Sequence, residues 1–317
     1  MKIVFMEADT LGTDVDLTAF NEIGEVVIYP KSEPELNAER IQDADIIISN
    51  KIPMNEELLA NCSNLKLVCV TATGTNNLDL PYLASRGIKA ANVKGYSTDS
   101  VAQHTFALLF YVYEKLHFYD HYVKSGEYVK SDIFSVFDVR FHELAGKRFG
   151  IVGLGAIGKK VAEIARLFGC EVVYYSTSGK NNDSTYRRVT KEELFRESDI
   201  VSIHAPLNED TRDLVGREEL AMMKKDAVLL NLGRGPIVNQ EALAEALEQD
   251  KIGGAGLDVL TVEPMAADNP LLRIQDSTKL IITPHIAWAT VEARQRCVDE
   301  VRENIKAFLR GEERNIV

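Results

Sequence analysis

Short β-rich runs and helix-like stretches alternate along the whole chain, and this alternation constrains the fold more than any other feature. A first series of β-rich runs stands at Lys2–Met6, Val26–Tyr29, Asp45–Ser49, Lys66–Thr71 and Ile88–Asn92, with helix-like stretches such as Leu17–Ile23 and Glu56–Asn61 between them. A second series begins after Gly146-Lys147, at Arg148–Val152, Glu171–Tyr175, Ile200–His204, Ala227–Asn231, Ala255–Val259 and Leu280–Thr283. Alternation at these lengths builds βαβ units, because neighbouring parallel strands need a crossover between them. The pattern therefore predicts an α/β fold with two doubly wound parallel sheets, and 317 residues suffice for two such domains.

Between the two series, Ser100–Tyr122 reads as one long helix rich in Ala, Leu, Phe and Tyr, ended by Ser125-Gly126. It is apolar on more than one face, so it is expected to be buried on several sides, in part at a subunit contact. A homodimer is the expected assembly, since two-fold closure is the commonest outcome for such a surface. The last helix, Val291–Leu309, follows the second series with no strand after it and is expected to pack back on the first. The expected domains are therefore 1–97 plus 286–317, discontinuous in sequence, and 98–285. Within the second, Thr190 with Glu193 three residues on marks a capping box.

Charge and cysteine usage exclude several function classes. With 36 Lys+Arg against 48 Asp+Glu the formal charge is −12, which repels nucleic-acid backbones and anionic membrane surfaces. No apolar run approaches the ~20 residues that span a bilayer, and Met1–Glu7 is too short for a signal-peptide core and reads as a buried strand. Cys62, Cys69, Cys170 and Cys297 form no CxxC pair, so a reducing cytoplasm is expected. His117 and His121, four apart on the long helix, have metal-binding spacing but no third ligand, so no metal site is expected.

Gly153-Leu154-Gly155-Ala156-Ile157-Gly158 follows the strand Arg148–Val152 and opens a helix, the context in which GxGxxG binds a dinucleotide. Gly153 permits a tight turn, Gly155 lets backbone amides approach a pyrophosphate, and Gly158 lets the helix lie close to the strand. Apolar residues at Ile157, Val161, Ile164, Ala165 and Phe168 give that helix one buried face. Its N-terminus offers unpaired N–H groups and the positive end of the helix dipole to a diphosphate. The next strand runs into Ser176-Thr177-Ser178-Gly179-Lys180, where an NAD site usually carries an acid for the ribose hydroxyls. Ser176 stands in its place, with neither the grip of an acid nor its repulsion of a 2′-phosphate, and Lys180 carries a charge that would attract one. NAD is favoured slightly, and NADP stays open.

Three later segments each lie just after a predicted strand, where the carboxyl ends of an open parallel sheet meet a ligand. They are Asn231-Leu232-Gly233-Arg234-Gly235, Gly256-Leu257-Asp258 through Val262-Glu263-Pro264, and Thr283-Pro284-His285-Ile286-Ala287-Trp288. The imidazole of His285 suits proton transfer, since it can both give and take a proton. Glu263 can accept a hydrogen bond from the imidazole and stabilise its protonated form. Arg234 offers a planar fork for a carboxylate and can polarise a carbonyl oxygen as charge develops. Taken singly, each is more often an ordinary surface or core residue; their joint order argues for a site.

The ordered motifs GxGxxG, Asn-x-x-Arg-Gly, Asp-Val-x-x-x-Glu-Pro and Pro-His make the chain resemble the D-isomer-specific 2-hydroxyacid dehydrogenases. The resemblance extends to Thr71–Asp79 and to Ser100-Val101-Ala102-Gln103-His104, and Pro284–Trp288 is most similar to glycerate dehydrogenases (hydroxypyruvate reductases). It implies a Rossmann dinucleotide-binding domain and a flavodoxin-like, discontinuous substrate domain. It also implies NAD(P)H-dependent reduction of a small 2-keto acid, with hydroxypyruvate first and glyoxylate or pyruvate as neighbours, by the triad Arg234, Glu263 and His285. The cofactor contacts it implies are Gly153, Gly155, Ala156, Ile157, Gly158, Ser176, Ala205, Pro206, Leu232, Gly233, Arg234, Asp258 and His285, with Asp258 on the nicotinamide amide. Substrate contacts are expected from Arg234 and His285 and from Thr73 and Gly74, where backbone N–H groups would face the anion. Lys51 stands as a second cation or a solvated lysine, Tyr96 as a substrate neighbour or a core residue, and Trp288 as a wall of the site or packing. Phosphoglycerate dehydrogenase is disfavoured by the lack of an appended regulatory domain, and formate dehydrogenase by the presence of Glu263. The alternative from another class is an NAD(H)-sensing interaction protein of the corepressor type on the same fold, against which the compact chain argues.

Overall fold

The first series of β-rich runs forms a five-stranded parallel sheet whose three inner strands are apolar almost without interruption and buried. In the computed structural model, which describes residues 1–317, these strands are β1 (Lys2–Phe5), β2 (Glu25–Ile28), β3 (Ile46–Ser49), β4 (Leu67–Val70) and β5 (Lys89–Ala91). Their order is β2-β1-β3-β4-β5, the flavodoxin-like arrangement. The crossovers carry α1 (Pro34–Ile41), α2 (Glu56–Leu59) and α3 (Leu80–Ser85). Val4, Ile41, Ile47, Leu59, Val68 and Leu83 meet in one core, and each fully buried side chain of this size contributes about 1.5–3 kcal/mol.

Two long helices follow where one was expected. The stretch forms α4 (Thr98–Tyr113) and α5 (Leu116–Lys124). The break falls at Lys115, whose φ of +57° is left-handed, and one left-handed residue ends a helix. The Lys115 ammonium holds the bend by donating to the carbonyls of Gly253 (3.2 Å) and Thr278 (2.9 Å). Burial lowers its pKa from the usual lysine value. The two helices differ in burial. On α4, Val101, Ala102, Leu108, Leu109 and Val112 lie in the core with Phe149 and Ile151, whereas α5 has no buried residue.

The second sheet contains β6 (Arg148–Val152), β7 (Glu171–Tyr175), β8 (Arg187–Arg188), β9 (Ile200–Ile203), β10 (Val228–Asn231), β11 (Gly254–Leu257) and β12 (Leu280–Ile282). Seven strands therefore replace the six expected; β8 is a two-residue edge strand with both residues exposed, too short and polar to show as a periodic run. The order β12-β11-β10-β9-β6-β7-β8, all parallel, is that of a Rossmann sheet with one further strand, and it reverses direction between β6 and β9. Helices α6 (Ala156–Leu167), α7 (Lys191–Glu197), α8 (Arg217–Met222) and α9 (Gln240–Glu248) form its crossovers. At α7 the Thr190 hydroxyl accepts from the Glu193 N–H (3.1 Å), while the Glu193 carboxylate pairs with Arg187 at 2.7 Å.

The chain divides into two compact units, Met1–Ser97 with Ala289–Val317, and Thr98–Trp288. The second boundary lies at 288/289, three residues beyond the expected 285/286. The last helix, α10 (Val291–Leu309), belongs to the first unit. The chain end follows it there: Ile316 bridges Ala91 antiparallel, closing the β5 edge.

Candidate active site

The glycine-rich turn lies between β6 and α6, beside the strand-order reversal. Gly153 has φ +90°, and a Cβ there would sit 2.8 Å from the backbone of Ala205, after β9. A Cβ on Gly158 would lie 2.3 Å from the Gly153 carbonyl, whereas nothing lies within 4 Å of the corresponding position on Gly155. Gly155 is the N-cap of α6 and no side chain caps it. The first-turn N–H groups are thus open to an anion, and the chain leaves room for one against them. Ala156 is exposed, while Ile157 packs on the core.

A second observation fits a dinucleotide. His204 follows β9 immediately before Ala205-Pro206; its Nε2 meets the Ser202 hydroxyl at 2.8 Å, and its Nδ1 is buried without a partner. Burial pushes its pKa down to about 3, so the ring is neutral. At the end of β7, Ser176 is buried, with its Oγ accepting from the Asn181 N–H at 3.3 Å. The Asn181 amide in turn donates to the Leu154 carbonyl, tying the segment after β7 to the glycine-rich turn.

The loops after β9, β10 and β11 press together. Gly233 packs on the Ala205 carbonyl, 2.9 Å from where its Cβ would be, and a Cβ on Gly235 would lie 2.0 Å from the Leu260 backbone. The Asn231 side chain spans its own loop, accepting from the Gly233 N–H (3.1 Å) and donating to the Arg234 carbonyl (3.0 Å). That accounts for the Asn-x-x-Arg spacing: the amide fixes the backbone that presents the guanidinium. Leu232 is buried and Arg234 half-buried, one guanidinium nitrogen donating to the Gly233 carbonyl (2.8 Å). Glu263 binds in two directions, Oε1 accepting from the Leu260 N–H (2.8 Å) and Oε2 lying 2.7 Å from His285 Nδ1. With Nδ1–H on the carboxylate, Nε2 is the nitrogen left to exchange a proton.

His285 itself has φ +55°, a left-handed conformation costing about 1–2 kcal/mol for a residue with a Cβ. Asp258 offsets that cost. Its backbone carbonyl accepts from the His285 N–H (2.9 Å). Its carboxylate is 2 % exposed and accepts from the Thr283 hydroxyl (2.6 Å) and the N–H groups of Ile286 and Ala287 (2.9 Å each). Asp258 thus grips the segment that carries the histidine. Trp288, next along, packs on the core that contains α4.

The remaining expected residues lie in the first unit. Lys51 is exposed, and its N–H, with those of Asn50 and Ile52, donates to one oxygen of the buried Glu7 carboxylate (2.7, 2.7 and 3.2 Å). Thr73 is exposed, with its hydroxyl on the Val93 carbonyl (2.8 Å) and its own carbonyl taken by the Asn92 amide (2.7 Å); Gly74 follows it. Tyr96 is buried. Sequence reasoning missed the organising roles of Asn231 and Glu7. An amide three residues before an arginine, and an acid at the end of a buried strand, are the signals that point to them.

His117 and His121 stack with ring centroids 6.3 Å apart. No group of three or more His, Cys, Asp or Glu side chains is placed to hold a metal ion. No helix is long and apolar enough to cross a membrane.

Residues 106–287 match the family model described as the NAD-binding domain of D-isomer-specific 2-hydroxyacid dehydrogenases. The chain is 36% identical over 317 residues to a glycerate dehydrogenase of Methylorubrum extorquens, covering 100% of this chain and 98% of that protein. It is 36% identical over 324 residues to a hydroxypyruvate reductase of Blautia hydrogenotrophica, covering 100% and 99%. Among solved structures it resembles an acyclic imino acid reductase in complex with NADPH and D-Arg, at 31% identity and a TM-score of 0.87 over 100% of both chains. A glycine-rich turn shaped for a diphosphate, a histidine–carboxylate pair and an arginine on the adjoining loops of one Rossmann sheet agree with these likenesses, and the chain belongs to the D-isomer-specific 2-hydroxyacid dehydrogenase family.

Proposed function

We propose that the protein reduces a small 2-keto acid to the D-2-hydroxy acid at the expense of NAD(P)H, with hydroxypyruvate to D-glycerate as the first candidate and glyoxylate and pyruvate as neighbours. The observation that carries this reading is the 2.7 Å pair of His285 and Glu263 on the loops after β12 and β11, with Arg234 on the loop after β10. The nicotinamide cofactor, when bound, supplies the hydride. Glu263 orients the imidazole and balances its positive charge, and His285 Nε2–H gives its proton to the oxygen of the carbonyl being reduced. Arg234 holds the substrate carboxylate with its planar fork and meets the charge developing on the carbonyl oxygen.

The turn residues Gly153, Gly155, Ala156, Ile157 and Gly158, with Ala205, Pro206, Leu232 and Gly233, are assigned to the cofactor; Asp258 is assigned to the nicotinamide amide. NAD is the first choice, and NADP is accepted because no acid at Ser176 opposes a 2′-phosphate and the Arg188 guanidinium reaches the same loop, donating to the Gly179 carbonyl at 3.0 Å. Residues 1–97 with the C-terminal segment are assigned to substrate, through Thr73, Gly74 and Tyr96, which match positions of the family, and through Lys51 as a second cation after β3. The four buried, unpaired cysteines favour the cytoplasm. Exposed apolar side chains after α5, among them Val129, Phe134 and Phe137, favour a homodimer. No observation favours the sensor reading.

Following cofactor absorbance with hydroxypyruvate, glyoxylate and pyruvate, each with NADH and NADPH, tests the proposal. Turnover of at least one acid is expected, with a loss of about 10²–10⁴-fold in His285→Ala. No turnover with any acid, or an undiminished rate in that variant, would refute it.

A further inference from the structure

One face of α4 reaches the segment that carries His285. Ser100 and His104 stand four residues apart and therefore on the same side of the helix. The buried Ser100 hydroxyl donates to the Ala287 carbonyl at 2.5 Å, and His104 Nε2 lies 3.0 Å from the Thr283 hydroxyl oxygen. The two contacts fall on either side of His285. Neither residue belongs to the proton-transfer pair, the arginine clamp or the glycine-rich turn.

The hydrogen count fixes the direction of the His104 contact. Thr283 has one hydroxyl hydrogen, and it is spent on Asp258 Oδ1 at 2.6 Å. The Thr283 oxygen can then only accept from His104, so Nε2 must carry a hydrogen. A bare Nε2 would instead turn its lone pair toward the same carboxylate oxygen, 3.6 Å away. Burial lowers the pKa of His104 against the opposing pull of Asp258, which leaves the neutral Nε2–H tautomer.

We propose that His104 is a positioning residue for proton transfer. Its Nε2–H holds the Thr283 hydroxyl on Asp258, and Asp258 so held keeps the 283–287 segment, with His285 in its left-handed conformation, in place. Ser100 anchors the far end of the same segment. The proposal rests on His285 being the proton donor, and it assigns to α4 a part in catalysis beyond its part in the core.

Glutamine places an N–H₂ where histidine has Nε2, asparagine places one where histidine has Nδ1, and leucine has none. His104→Leu and His104→Asn are expected to lower kcat by about 10–100-fold, the usual cost of losing a supporting hydrogen bond behind a catalytic group. His104→Gln is expected to recover most of that loss. Thr283→Val removes the hydroxyl at nearly constant shape, and its double variant with His104→Leu should be no slower than the slower single, as two members of one network are not additive. Nitrogen-15 histidine spectra of the unaltered protein give a readout independent of turnover and of variant folding, with His104 expected to be protonated at Nε2 and bare at Nδ1. An Nδ1–H tautomer, full kcat in His104→Leu, equal behaviour of the Gln and Asn variants, or additive losses would each overturn the proposal. Failure of the underlying reading shows differently, as turnover that survives His285→Ala.

Discussion

A histidine in a left-handed conformation is held by groups the chain brings from elsewhere, and this is where local sequence stops being informative. Pro-His, Asn-x-x-Arg-Gly and the acid before proline were legible because each chemistry-bearing side chain sits in a short motif of its own. The work of Asp258 was not legible. Its carboxylate binds Thr283, Ile286 and Ala287, and only the fold brings those donors to it. Glu7 was hidden for the same reason, since it closes on the backbone of residues 50–52. At His204 the residue scale carries a prediction about pH. Burial holds its folded pKa near 3, well below the ordinary 6.5. As pH falls through 6.5 the unfolded chain takes up a proton that the folded chain refuses. This contribution to stability is therefore complete above 6.5 and is lost progressively between 6.5 and about 3. His204→Gln, which cannot titrate, is expected to show a shallower decline of Tm with falling pH across that window than the parent. An equal decline in both would show that this ring does not drive it.

At the scale of elements, the loops after the strands are matched to one another. Gly235 is the sharpest case: the position its Cβ would occupy is 2.0 Å from the Leu260 backbone, and that backbone leads to Glu263. Gly235→Ala is expected to cost about 1–3 kcal/mol, the scale of overpacking a tight contact. It should also slow turnover, because the strain is relieved by shifting the loop that carries the partner of His285. Denaturant melts together with kcat check this, and a variant with parental stability would contradict the packing argument. The strands themselves were easily read, since buried parallel strands are continuous apolar runs. The missed strand, β8, is two arginines long. The expected single long helix failed at Lys115, because the bend depends on carbonyls of Gly253 and Thr278 that periodicity along α4 cannot reveal.

On the scale of the whole molecule, surface and connectivity matter most. Phe134 and Phe137 are 90% and 78% exposed, an unfavourable arrangement for a lone chain in water. If this segment joins two copies, Phe134→Glu with Phe137→Glu should convert a dimer to a monomer in analytical ultracentrifugation; a parent protein that sediments as a monomer would refute the dimer. Connectivity has a consequence in time. The first unit draws α10 and the bridge from Ile316 to Ala91 from the far end of the chain. On the ribosome, residues 1–97 emerge first but must wait for the whole of 98–288 to be made, about tens of seconds at ordinary elongation rates. The second unit, contiguous in sequence, has every residue it needs before the first unit does. The half of the protein that is begun first is therefore completed last, and through that interval its β5 edge stands open in the nascent chain.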